Sequence, residues 1–142
     1  MTSENYLTIS ARDAAQNELI IKKYLGKNDI VFHTQIQGSA FTIIKNPNGD
    51  EITDISLNQA AQATLCHSKS WNLKVVNDVY WVKASQISKT APTGLSMPSG
   101  SFMIYGKKNF IRPKRLELGF GFLFKVDEES KLRHQDERKS AI

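Results

Sequence analysis

The chain opens with two rhythms of apolar residues. Tyr6, Leu7, Thr8 and Ile9 are a mostly aromatic or β-branched run that ends at polar Ser10, which predicts a short strand. Past Asp13 the spacing turns helical. At about 100° per residue, Ala14, Ile21 and Leu25 share one face with Tyr24 on its flank, while Leu19 points nearly the opposite way. No glycine or proline interrupts the run before Gly26, so a helix is expected from Asp13, whose carboxylate suits the free amides of a first turn, to Leu25. Lys22 and Lys23 fall near its carboxyl end, where the helix dipole favours positive charge. Leu19 predicts cover on more than one side.

Residues 29–34 and 40–45 read as two strands of an antiparallel hairpin, joined through a connection that contains Gly38. Asn46-Pro47-Asn48-Gly49 has the composition of a β-turn. Ser56-Leu57-Asn58-Gln59 matches a capping box, and Leu57, Ala60, Ala61, Thr64, Leu65 and Ser68 recur at helical spacing along a small-residue face. Val79 to Val82 form a strong strand, residues 91–100 a loop, residues 102–105 a strand, and residues 106–109 a turn whose return starts at Phe110 and stops at Pro113. Residues 119–126 are apolar enough to predict a central last strand. Runs of strands with two principal helices, and no βαβ alternation, predict a single α+β domain with a mainly antiparallel sheet. That domain is expected over residues 1–126, with 127–142 as a charged carboxyl-terminal extension or connection.

Charge changes this picture in one place. Residues 1–78 hold seven Lys/Arg and eight Asp/Glu, residues 79–116 hold seven and none, and residues 117–142 hold five and six, so the whole net of +5 lies in the middle block. A block of that sign attracts polyanions, and interleaved aromatics offer surfaces to bases. The bland reading of Lys107 and Lys108 is a solvated turn that keeps an edge strand from pairing with strangers. Thirty-eight residues without a compensating acid favour phosphate contact instead, by Lys89, Lys107, Lys108, Arg112, Lys114 and Arg115. Such contacts position an RNA rather than read it. Strand alternation assigns most of Tyr80, Trp81, Phe102 and Phe110 to the core, and leaves Tyr105, beside the lysine turn, as the candidate base-facing ring.

Other chemistry finds no support. Cys66 and His67 are adjacent, so on a helix they diverge by about 100°, and the chain has no Cys-x-x-Cys or His-x-x-x-His pair. Around Gly106-Lys107 a Walker A loop would require glycine where Ser101 stands and a hydroxyl where Lys108 stands. Neither an enzyme, a metal nor a cofactor is expected. One cysteine and no apolar run of about 18 residues fit a cytoplasmic protein that does not enter a membrane.

The strings SKTAPTG (88–94) and GSFMIYGKKNF (100–110), with RDAAQNE (12–18) and GFGFLFKVDE (119–128), resemble NFACT-R, the RNA-binding domain of the NFACT family in its eukaryotic form. The resemblance implies RNA binding on large ribosomal subunits that still carry an obstructed nascent chain on tRNA. It also implies a ubiquitin ligase as partner, engaged through family regions outside these 142 residues. By position, Arg12, Asp13, Gln16, Asn17 and Glu18 match the family's helix signature, and Asp29, His33 and Gly38 the strand-turn signature. Lys89, Thr90, Gly94, Gly100, Gly106, Lys107 and Lys108 match its basic loop and turn. The chain departs from the family pattern at Ala11, Gln35 and Gln37, which leaves His33 as the imidazole of its motif.

Two function classes follow. The first is a non-catalytic module on ribosomal RNA or tRNA; the second is a docking module for a ribosomal protein or another domain of its parent chain. Salt separates them, since about four phosphate contacts give a log-log slope near −3 on single-stranded RNA and an apolar face responds little.

Overall fold

Residues 1–88, 90 and 93–137 are described by the computed structural model. In chain order they form β1 (Thr8–Ser10), α1 (Ala14–Leu19) with a π-helical continuation (Ile20–Tyr24), β2 (Ile30–Thr34), β3 (Thr42–Ile44), α2 (Asp54–Cys66), α3 (Ser70–Leu73), β4 (Val79–Lys83), a 3₁₀ turn (Ala84–Gln86), β5 (Ile87–Ser88), β6 (Met103–Ile104), β7 (Asn109–Ile111) and α4 (Glu128–Arg133). Five strands make one antiparallel sheet in the order β1-β3-β2-β4-β7, and β5 and β6 pair as a separate ladder. The α+β class with a mainly antiparallel sheet is therefore as the sequence predicts.

Strand alternation splits the core in two. Val31, Ile43, Tyr80 and Val82 face Ile20 and Ile21 of the π-helical segment, with Phe102 and Ile104 packed alongside; Ile30, Phe32, Ile44 and Val79 face Leu57, Ala60, Ala61 and Leu65 of α2. Both faces of the central strand are covered, which is why residues 30–32 read as an unbroken apolar run. The hairpin of β2 and β3 forms as predicted, as does the Asn46–Gly49 turn, closed by Gly49 N–H donating to the Asn46 carbonyl at 3.1 Å.

Four expectations are corrected. Leu19 is exposed, because the helix widens to π winding directly after it and turns Ile20 and Ile21 inward together. The second helix begins at Asp54 with Thr53 in the capping position, and the proposed capping box is used otherwise: Ser56 is buried and donates to Thr2 Oγ1 at 3.0 Å, while the Gln59 amide bonds Ser3. Residues 102–111 do not fold back as a hairpin. Gln86 Nε2 donates to the carbonyls of Tyr105 and Lys107, at 2.8 and 2.9 Å, and holds the turn beside β5, so β7 crosses to the open edge of β4 instead.

The fourth is the last apolar run. Phe120, Phe122, Leu123 and Phe124 are 94, 92, 98 and 84% exposed and belong to no strand. Pro113 ends β7, Leu116 packs on the α2 side of the core, and Gln62 Nε2 donates to the carbonyls of Arg115 and Glu117 at 2.9 and 2.8 Å. The chain is thereby led over α2 and away from the sheet.

Candidate nucleic-acid interface

Antiparallel register sets His33 opposite Tyr80 and Tyr80 opposite Phe110, so three ring-bearing residues lie side by side across β2, β4 and β7. The Tyr80 ring meets Phe110 edge-on at 5.8 Å and His33 at 5.9 Å, and His33 lies 4.4 Å from Phe41, which in turn meets Phe102 at 6.0 Å. Lys108 Nζ sits 4.6 Å above the Tyr80 ring. Phe110 and Tyr105 are about half exposed, and Lys107 is exposed at the turn between them. The result is a lysine turn at the rim of an aromatic row.

Beside that row the segment before β6 bends over the sheet. Ser101 N–H donates to the Pro98 carbonyl at 3.0 Å and closes a turn whose third residue, Gly100, has a φ of +78°. A Cβ on Gly100 would lie 1.9 Å from the Ala14 carbonyl oxygen, so only glycine permits this approach to α1. Asn17 fastens the contact: buried on α1, it donates to the carbonyls of Ser39 and Gly100 at 3.0 and 3.2 Å and accepts from Phe41 N–H at 2.7 Å. Between turn, helix and sheet remains a cavity of about 240 Å³, lined by His33, Phe41, Tyr80, Phe102 and the turn itself.

His33 is held neutral. Its Nε2 lies 2.9 Å from the Ser39 carbonyl, which only accepts, so Nε2 carries the proton and Nδ1 accepts from the Tyr80 hydroxyl at 3.2 Å. Burial pushes the imidazole below its ordinary range and Lys108 pushes the same way, against the opposing effect of the Ser39 bond. Burial likewise raises the Tyr80 phenol to about 12. Below about pH 6.5 the unfolded chain therefore takes up a proton that the folded imidazole refuses, and stability falls as pH falls, by at most about 1.4 kcal/mol per pH unit. We expect His33→Gln to flatten this part of the curve in denaturant melts between about pH 7.5 and about pH 5. Equal pH dependence in both proteins would contradict a depressed His33.

The basic block divides around this site. Lys107, Lys108 and Tyr105 come together, and Lys108, Phe110 and Arg112 follow one another along one face of β7. Arg112, however, is engaged: its guanidinium bonds Asp78 at 3.2 Å and the Val76 carbonyl at 3.3 Å. Arg115 pairs with Glu117 at 2.7 Å, with its backbone carbonyl held by Gln62 of α2, on the opposite layer from the lysine turn. Lys114 is exposed between them. Thr90 is exposed just past β5, bonded to Ser88, and Lys89 lies outside the described residues.

The motif positions carry structural duties. Asp13 caps α1 by accepting from Gln16 N–H at 3.1 Å, Arg12 pairs with Asp13 at 3.5 Å, Gln16 Oε1 accepts from Arg12 N–H, and Glu18 pairs with Lys22 at 2.7 Å. Asp29 is buried and accepts from the N–H groups of Gly26 and Asn46 at 2.7 and 2.8 Å and from the Lys45 ammonium. Gly38 takes a φ of +76° in the turn closed by Ser39 N–H on Ile36. Cys66, buried, donates to the Glu117 carbonyl, and His67 bonds the Ala63 carbonyl. Among the described residues no three His, Cys, Asp or Glu side chains gather as a metal site would require. A larger cavity, about 720 Å³, opens on the α2 face near Trp81, but Asp50, Glu51 and Asp54 outnumber Lys27 and Lys83 there and remove any net pull on an anion.

Sequence reasoning missed Phe41 and the cavity. Their signal exists only in the register, which brings His33 to Tyr80 across 47 positions of sequence.

Residues 1–106 match the family described as NFACT protein RNA binding domain. Along its full length the chain is 50% identical to the human ribosome quality control complex subunit NEMF, of which it spans 13%. It is 48% identical over 139 residues to the Drosophila melanogaster homolog of that subunit, and 41% over 139 residues to the Schizosaccharomyces pombe ribosome quality control complex subunit 2. These alignments cover 98 and 97% of the chain and 14% of each relative. A solved structure, the C-terminal part of a fibronectin/fibrinogen-binding protein from Streptococcus suis, superposes with a TM-score of 0.65 at 20% identity, covering 81% of this chain and 43% of that one. That likeness shows the fold.

Proposed function

The chain belongs to the NFACT protein RNA-binding domain family, and from that premise we propose that it is a non-catalytic module by which a ribosome quality control factor contacts ribosomal RNA or tRNA on stalled large subunits. The observation that carries this reading is the Lys107-Lys108 turn set against the exposed rings of Tyr105 and Phe110, within thirty-eight residues that contain no acid. Lysines there take phosphates; the rings accept unstacked bases. Thr90 and Lys114 extend the surface, and Arg112 only by sharing itself with Asp78; Arg115, paired with Glu117 on the α2 layer, lies away from the lysine turn, and Lys89 joins by its family-motif position alone. The binding unit is residues 1–126, the remainder connects it to other parts of a longer protein, and a ubiquitin ligase is engaged through those parts in the cytoplasm. Among the described residues no helix is long and apolar enough to cross a membrane.

A second reading has its own observation. The exposed run from Phe120 to Phe124 suits a protein surface, and supports docking on a ribosomal protein or a neighbouring domain. Binding of the 142-residue chain to purified large subunits and to tRNA across a salt series separates the two. With the arginines paired, three to four phosphate contacts give an expected slope of about −2 to −3. A slope near zero transfers the function to the apolar run.

A further inference from the structure

The cavity beneath the turn at Gly100 takes no part in phosphate contact, and its walls are of another kind. Phe41, Tyr80, Phe102 and His33 line it with aromatic rings, Gln37 and Ser99 stand exposed at its rim, and among the described residues no charged side chain lines it. We propose that this cavity receives one unstacked nucleobase of a single-stranded RNA whose backbone follows the lysine turn, an inference that rests on the RNA-binding reading above.

Three observations lead here. The volume, about 240 Å³, is below the roughly 300 to 1,000 Å³ of pockets that enclose a drug-sized ligand. It suits one planar ring system, with the rest of a polymer outside. The inner polar atoms are already paired, since His33 Nε2 and Nδ1 serve Ser39 and Tyr80 and the Asn17 amide serves Ser39, Phe41 and Gly100. An inserted base therefore leaves no inner side-chain donor or acceptor of the protein without its partner, while the Gln37 amide and the Ser99 hydroxyl at the rim can bond the polar edge of the base. Finally, the Tyr80 ring that lines the cavity is the ring beneath Lys108, so a phosphate flanking the inserted base arrives beside an ammonium. That cation favours RNA over a proline or aromatic side chain of a protein.

The test measures affinity of the 142-residue chain, by fluorescence anisotropy, for a single-stranded oligoribonucleotide and for an abasic ribose-phosphate strand of equal length and charge. Ser99→Trp fills the rim at the second position of its turn without disturbing a buried group. It is expected to weaken the base-bearing strand about tenfold and leave the abasic strand unchanged. Lys107→Glu/Lys108→Glu is expected to weaken both. Equal affinity of the parent for the two strands, as when the cavity serves a protein side chain, overturns the base site and leaves intact the phosphate contacts of the RNA reading. The base site is equally overturned if Ser99→Trp binds both strands as the parent does. If the folded parent binds neither strand at low salt, the RNA reading itself falls and the base site with it.

Discussion

Asn17→Ala is expected to lower the unfolding free energy by about 3 kcal/mol, since a buried donor or acceptor deprived of its partner costs roughly 1–3 kcal/mol and two are orphaned here. Phe41 N–H loses its acceptor and the Gly100 carbonyl its donor, whereas the Ser39 carbonyl keeps His33. For a domain of this size that is a fall in Tm of about 10 °C. Asn17→Asp should be at least as damaging, because a buried carboxylate would face the Ser39 and Gly100 carbonyls in place of a donor and leave the Gly100 carbonyl unpaired. Differential scanning calorimetry reads both. A loss under about 1 kcal/mol would mean that Asn17 does not fasten the turn to α1, and that the cavity is held open by other contacts.

The other large effect concerns affinity. Lys107→Glu/Lys108→Glu is expected to weaken RNA binding at least tenfold near physiological salt and to make the salt slope shallower by about 1.4, since each phosphate contact on a single strand contributes about 0.7. Reversal at Lys108 does more than delete a contact: it sets a carboxylate over the π face of Tyr80, which repels it where the ammonium was attracted. Folding should survive, because both side chains are at the surface or partly so and neither has a carboxylate partner among the described residues. Retained affinity in the folded variant would reduce the turn to edge protection for β7.

What the sequence reveals of this fold follows from how each signal is carried. The strands β2, β3 and β4 are legible because they are short apolar runs with no competing interpretation, and α1 is legible because Asp13 is a cap in the position a cap must occupy. Pairing is not local. Residues 102–111 have hairpin spacing, yet the Gln86 amide and the vacant edge of β4 decide where β7 goes, and neither is visible within ten residues of the turn. In residues 119–126 composition speaks for a buried strand, while Gln62, fifty-odd positions away, routes the chain to solvent. The site divides in the same way. Charge is a property of composition, so the lysine turn is read directly; the ring cluster and the cavity arise from register and from one glycine approach to α1. Asp29 and Asn17 show the converse. As family-motif residues they suggest ligand contact, and the structure spends their polar atoms on backbone groups and, for Asp29, on Lys45.

The most direct test of the RNA-binding face is a map of backbone amide chemical shifts on titrating single-stranded RNA into the 142-residue chain. The largest changes are expected on Tyr105, Lys107, Lys108 and Phe110, extending to Thr90 and the turn at Gly100, and fading with added salt. Changes concentrated on α2 or on residues 119–126, with the lysine turn silent at saturating RNA, would contradict an RNA contact at this turn.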